Sequence, residues 1–248
     1  MKQIHLSPRL QMAADLVVKR EQNAWLVDVG TDHAYLPAWL LQNHREQFAY
    51  VIATDLREGP LDRARRTARE AGCEQNIDFR LCDGLAAVDP READSIVIAG
   101  MGGETIVHIL ESAHWKAEWW RGEEGGMEDK ILVLQPMSSM PELRKWLQEN
   151  GFSIVEERLA KEGDTLYTAL LVRAGEMAPL SPAELWAGRN CHVPLRGEWL
   201  DRWIARTGRA LEGMALAQGD GVLPKKRELE DVWKGLQDMK KEWEQWQM

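Results

Sequence analysis

Trp25–Pro37, reading WLVDVGTDHAYLP, joins an apolar run ending in Asp28 to a glycine, a short polar turn and an apolar helical start. That order is a strand feeding a tight turn at the ligand-binding edge of an α/β sheet. The turn is a defective dinucleotide fingerprint. Of the three glycines in G-x-G-x-x-G only Gly30 is present, and Asp32 stands where a second glycine would admit a pyrophosphate. A carboxylate about 4–5 Å from a phosphate charge costs roughly 3–4 kcal/mol at an effective dielectric near 20. The turn therefore argues against NAD, FAD and nucleoside triphosphates. It suits an adenosine cofactor that lacks phosphates and carries positive charge, a description that S-adenosylmethionine meets.

Outward from this turn, strands and helices alternate. The pattern predicts strands at Trp25–Val29, Tyr50–Thr54, Ile77–Leu81, Ser95–Ala99 and Ile131–Leu134. Helices are expected at Ala34–Asn43, Pro60–Ala71, Glu104–Ser112 and Pro141–Asn150, the last closed by Gly151. Ser7-Pro8 reads as N-cap and first residue of an opening helix. Alternation implies right-handed βαβ crossovers and a parallel sheet. Two further strands, Phe152–Glu156 and Leu166–Val172, are joined through Lys161–Asp164, too short for a crossover helix, so they form an antiparallel hairpin. This α/β order, mostly parallel with a terminal antiparallel hairpin, resembles the class I (Rossmann-like) methyltransferase sheet more than that of a dehydrogenase.

After Val172 the composition shifts. Arg173–Pro182 reads as a linker. Leu200, Ile204, Thr207, Leu211 and Met214, then Leu229, Val232, Leu236, Met239, Trp243 and Trp246, follow seam spacing on either side of Gly219-Asp220-Gly221 and Pro224. They predict a C-terminal α-helical, coiled-coil-like hairpin. The expected division is 1–173 for the cofactor-binding domain and 174–248 for the helical appendage.

The chain has 248 residues, 44% hydrophobic and 29% charged, which is enough for a full core and an appendage. No apolar run approaches the roughly 20 residues of a membrane span, and Met1–Leu6 does not read as a signal peptide. Cys73, Cys82 and Cys191 form no C-x-x-C pair, so neither a metal site nor a disulfide framework is expected, and the expected location is cytoplasmic.

Each strand end offers a candidate. Asp28 reads as an acceptor for a cofactor ammonium or as a cap of its turn; an acid in an apolar strand end needs a partner. Asp55, in IATDL, reads as the acceptor for two ribose hydroxyls or as a helix cap. Asp83-Gly84 reads as an acceptor for an adenine amino group with close backbone approach, or as a common turn. IAGMGGET leaves bare backbone around Met101, against which a flat base could lie. Gln135-Pro136 reads equally as a pocket wall and as a turn. His33, beside Asp32, reads as a general base or, better, as packing or a cofactor wall. No G-x-S-x-G and no phosphate loop exist.

The net charge of −9 hides basic patches. Arg57–Arg69 holds five arginines, the first twenty residues include Lys2, Arg9, Lys19 and Arg20, and Lys225-Lys226-Arg227 marks the tip of the helical hairpin. Residues 118–129 run acidic, close to Trp115, Trp119 and Trp120. Such runs read as solvated faces or as a track for an elongated polyanion.

LSPRL, VDVGTDHAYLP, ATDLREGPL, LCDGL, IAGMGGETI and LQP, in this order and spacing, closely resemble the bacterial TrmK family of tRNA methyltransferases acting on N1 of adenine 22. The resemblance covers Ser7 to about Val172 and continues more loosely beyond. It implies S-adenosylmethionine as methyl donor and an appendage that helps hold tRNA. Carried onto this chain, the cofactor residues would be Asp28, Gly30, Thr31, Asp32, His33, Asp55, Leu56, Asp83, Gly84, Ala99 and Gly100. Asp32, Met101, Gly102 and Gly103 would position the adenine. Arg9, Arg57, Arg63, Arg66, Lys225, Lys226 and Arg227 would contact tRNA. The expected partner is tRNA, with no membrane or metal, and the chain acts as monomer or homodimer. A non-catalytic tRNA-binding protein and a small-molecule methyltransferase are the competing readings.

Overall fold

Near-continuous apolar runs suit strands covered on both faces, because successive side chains then enter two different cores. A computed structural model describes residues 1–18, 24–113, 130–189, 193–215 and 222–247. Cys191, His114, His192, Lys19, Arg20, the acidic run with its three tryptophans, and the Gly219–Gly221 break lie outside these residues.

The strands are β1 (Ala24–Val29), β2 (Phe48–Asp55), β3 (Ile77–Leu81), β4 (Ser95–Gly102), β5 (Ile131–Ser138), β6 (Phe152–Glu162) and β7 (Thr165–Ala174). They form one sheet in the order β3-β2-β1-β4-β5-β7-β6. β1 to β5 run parallel, and β7 is antiparallel to both β5 and β6. The order reverses between β1 and β4, which places the ligand crevice at their carboxyl ends.

Helices α1 (Pro8–Val17), α2 (Tyr35–Asn43) and α3 (Glu58–Ala71) cover one face, where Leu16, Leu40 and Ala68 meet Leu26, Val51, Val97 and Val133. Helices α4 (Gly103–Ser112) and α5 (Met140–Glu149) cover the other, where Ile106, Leu143 and Leu147 meet Val27, Ile52, Ile96, Ile98 and Leu134. Alternate residues of one strand thus enter opposite cores. Pro8 opens α1 as expected, but the Ser7 side chain makes no capping hydrogen bond.

Several elements are longer than their sequence signals. β4 continues to Gly102 and β5 to Ser138, held together by pairing with two slips of register, Ala99/Met101 and Met101/Gly102. The hairpin ladder runs until Glu162 faces Thr165, so the turn is Gly163-Asp164 rather than four residues. The partner strand, not side-chain hydrophobicity, carries these edges.

The C-terminal helices are α6 (Pro182–Ala187), α7 (Arg196–Ala215) and α8 (Val222–Gln247). Ser181 and Glu184 form a capping box that starts α6, a helix not anticipated in the linker. A Cβ at Gly197 would strike the ring of Trp243, and one at Gly208 would meet Trp233, so α7 and α8 run antiparallel. Leu200, Thr207, Leu229, Val232 and Leu236 are buried along the seam, whereas Trp246 is 47% exposed. The same cluster includes Met140 of α5 and Leu166 of β7, so the helices are docked on the sheet domain. Arg144 of α5, with no exposed surface, clamps them: it donates to the carbonyls of Leu185 and Trp186 at 3.0 and 3.1 Å and pairs with Glu157 of β6 at 2.7 Å. Arg196, also buried, donates to the carbonyls of Ala187 and Gly188 and ties α7 to the end of α6.

Candidate active site

The turn after β1 is wound by alternating left-handed residues: Gly30 at φ 69°, Asp32 at 47° and Ala34 at 51°. Aspartate tolerates this region, but alanine rarely enters it, which marks a strained, over-determined turn. The backbone N–H groups of Gly30 and Thr31 both donate to the Thr54 carbonyl at 2.9 Å, which fixes the turn to the end of β2.

Asp28 pairs in register with Ala53 on one side and Val97 on the other. It is only 6% exposed. Burial pushes its carboxyl up to about 6; the neighbouring Thr31 hydroxyl opposes the rise and the Asp55 charge adds to it. Thr31 Oγ1 is buried and makes no well-formed hydrogen bond among the described residues, its interaction being with the Asp28 carboxyl. A buried acid with a raised pKa beside this hydroxyl suits a ligand with donors and positive charge.

Asp55 ends β2. Its Oδ2 accepts from the Asp32 N–H at 3.3 Å and its Oδ1 from the Arg57 N–H at 3.1 Å. Each oxygen retains a further lone pair for a ligand hydroxyl. Leu56 follows it 65% exposed, an apolar side chain beside the acid. Asp83, exposed after β3, has no side-chain hydrogen bond among the described residues. The Gly84 carbonyl accepts from Thr54 Oγ1 at 3.0 Å, which ties that loop to β2.

At the end of β4, the Met101 side chain folds over Gly30. The Gly100 N–H donates to Gln135 Oε1 at 3.1 Å, and Arg9 Nη1 donates to the same oxygen at 2.6 Å. Gln135 is fully buried and its Nε2 donates to the Pro136 carbonyl at 3.0 Å. Its role is that of a buried strut between α1 and the glycine-rich strand end.

Asp32 is exposed and paired. Arg63 Nη2 reaches its Oδ1 at 2.6 Å, and His33 Nε2 lies 3.7 Å from its Oδ2. His33 stacks on Tyr35 at 5.2 Å. Arg63 holds Asp32 while remaining exposed, and the half-buried Arg9 holds Gln135. Arg57 and Arg66 are exposed at and beyond the start of α3; Lys225, Lys226 and Arg227 stand on the first turns of α8. Sequence alone missed the Arg9–Gln135 and Asp32–Arg63 bonds because each joins segments whose relative placement is tertiary.

The structure brings Asp28, Gly30–His33, Asp55, Leu56, Asp83, Gly84 and Ala99–Gly103 to one edge, on four adjacent strands. Among the described residues no group of three His, Cys, Asp or Glu side chains could hold a metal ion. No helix described is long and apolar enough to cross a membrane.

A family model described as a methyltransferase domain matches residues 6–170. The tRNA (adenine(22)-N(1))-methyltransferase of Bacillus subtilis is 35% identical over 176 residues, 71% of this chain and 68% of that relative. The crystal structure of Streptococcus pneumoniae Sp1610, a putative tRNA (m1A22) methyltransferase in complex with S-adenosyl-L-methionine, is similar at TM-score 0.74 and 33% identity, covering 92% of this chain and 100% of the other. The crystal structure of the B. subtilis m1A22 tRNA methyltransferase TrmK superposes with TM-score 0.75 at 28% identity, covering 96% and 100%.

Proposed function

Because the chain belongs to the TrmK family of tRNA (adenine-N1)-methyltransferases, we propose that it methylates N1 of adenine 22 in tRNA, with S-adenosylmethionine as donor. The observation that carries this reading is the convergence of Asp28, Asp55 and Asp83 with the bare Gly100–Gly103 strand end at one sheet edge.

The residues fit the cofactor. The buried Thr31 hydroxyl and Asp28 carboxyl would face its cationic amino-acid end, Asp55 its ribose, and Leu56, Asp83 and Gly84 its base. Bound there, S-adenosylmethionine supplies an electrophilic methyl group on a sulfonium. The chain needs no general base, because neutral adenine N1 already carries an in-plane lone pair. Its task is to expose that edge, which Watson–Crick pairing occupies, and to align it. Alignment alone can supply up to about 7–11 kcal/mol of barrier reduction.

The methylated adenine gains positive charge, and an acceptor at its amino group stabilises it. Asp32 and the Met101–Gly103 backbone serve this step, with Arg63 holding the carboxylate in place. Replacing Asp32 by Asn is expected to lower kcat by about 10- to 100-fold, in line with the loss of one stabilising contact to developing charge. Full turnover in that variant would remove Asp32 from the step.

Arg57, Arg66 and the Lys225–Arg227 cluster supply contacts to phosphate, and the enzyme works in the cytoplasm as a monomer or homodimer. Methyl transfer from labelled S-adenosylmethionine to unmodified tRNA, with and without adenine at position 22, tests the reading. Label only on the RNA with adenine supports it; no label on either overturns it, and equal label removes the target position.

A further inference from the structure

Beyond the end of β5 a cleft of about 370 Å³ opens between the start of α5 and the side of α7. That volume lies in the range of small-molecule sites. Ser138, Glu142, Trp186, Arg202, Trp203 and Arg206 line it. It adjoins the adenine-positioning strand: a Cβ at Gly102 would lie 3.1 Å from Ser138 Oγ.

Trp203 is 7% exposed, and its indole N–H is buried with no hydrogen-bond partner among the described residues. Such a donor is costly to leave unsatisfied. Trp186 meets Trp203 edge to face at 5.2 Å, and the Arg206 guanidinium lies over the Trp203 ring at 5.1 Å. Arg202 is held by Glu198 at 2.7 Å, whereas Arg206 has no carboxylate partner among the described residues. The cleft therefore combines aromatic surface, a stacked guanidinium with no carboxylate partner among the described residues, and the Glu142 carboxylate.

We propose that this cleft is a second nucleotide subsite, which takes the unstacked base and phosphate of a residue flanking the target adenine in the RNA. The inference rests on the RNA methyltransferase reading. Arg206 and the half-buried Trp186 indole supply flat surfaces for the base, and Arg202 and Arg206 supply charge for its phosphate. Glu142 accepts from an exocyclic amine. Holding the neighbour out of the stack keeps the target adenine unstacked beside Gly100–Gly103. The helical appendage thereby contributes to base exposure as well as to RNA affinity.

The test compares intact tRNA with tRNAs abasic at the nucleotide on the 5′ or the 3′ side of adenine 22. The readouts are kcat/KM for methyl transfer and, separately, S-adenosylmethionine affinity. For the unaltered enzyme, one of the two abasic RNAs should lose about tenfold in kcat/KM, the size of one stacked base. Arg206→Ala should lose a similar factor on intact RNA and show no further penalty on the abasic one, with cofactor affinity unchanged. Arg206→Lys, which keeps the charge but not the planar stack, should restore affinity without restoring the abasic penalty. Equal rates on intact and abasic RNA, or additive losses in Arg206→Ala, would overturn the subsite and leave the methyltransferase reading standing. No transfer to any RNA by the unaltered enzyme would overturn both.

Discussion

Burial leaves Asp28 holding a proton at pH values where an exposed carboxylate has lost it. Its pKa is about 6 in the folded chain against 3.8 ordinarily. The folded state binds more protons than the unfolded one through this window, so stability falls as pH rises from about 4 to 6. Above pH 6 the buried charge costs about 3 kcal/mol, because holding a carboxyl protonated tenfold more tightly is worth about 1.4 kcal/mol. Asp28→Asn should therefore raise the unfolding free energy of the ligand-free protein by about 1–3 kcal/mol at pH 7 and leave it unchanged at about pH 3.5. Urea titration at the two pH values checks this. Under the proposed pairing of Asp28 with the cofactor's ammonium, binding favours the carboxylate and should release a proton near pH 6 and weaken by about tenfold from pH 7 to pH 5. Calorimetric titration in buffers of different ionisation enthalpy would show it; a pH-independent affinity would separate Asp28 from the ammonium. The site acids were legible because strand ends announce themselves as apolar runs closed by Asp. Their partners were not: Arg63 meets Asp32 from another element, and nothing local in RARRTARE says which arginine faces the turn.

At the scale of elements, the order of strands and helices was readable, while their ends were set by neighbours. AGMGG has the composition of a loop, yet it continues β4 because β5 pairs with it through Ser138. Gly103 begins α4 so close to this pair that a Cβ there would lie 2.9 Å from the Ser138 carbonyl oxygen and closer still to that of Ser139. Both are backbone atoms with little room to yield. Gly103→Ala should cost about 1–3 kcal/mol through overpacking and lower activity by shifting the strand end. Gly213→Ala, on α7 with nothing within 4 Å of its Cβ, is the control and should be neutral or stabilising. Thermal unfolding of the two variants distinguishes local crowding from a general intolerance of alanine. The short helix α6 escaped notice because its signal, Ser181-Pro182 with Glu184, lies within a stretch otherwise rich in linker residues.

Across the whole molecule, the helical region was legible as two seams but its attachment was not. Arg144 stands beside Lys145 in PELRKW, where both residues look like solvent-facing charges. Only the fold shows that one of them is entombed between α5, β6 and α6. Arg144→Ala strands the Glu157 carboxylate and two carbonyl groups, a loss of about 3–5 kcal/mol for a broken buried pair. The expected outcome is loosened α6–α8, read as faster proteolysis of that region and weaker tRNA binding, with cofactor affinity retained. An equal loss of cofactor affinity would mean that the two regions do not separate energetically.

The clamp also limits how such proteins can be recombined. A chimera cut at residue 174 would inherit foreign helices while keeping its own Arg144 and Glu157, whose guanidinium must find two carbonyl groups on the newcomer. Exchange of the C-terminal helices between relatives thus calls for crossover points upstream of α5, so that socket and plug travel as one heritable block.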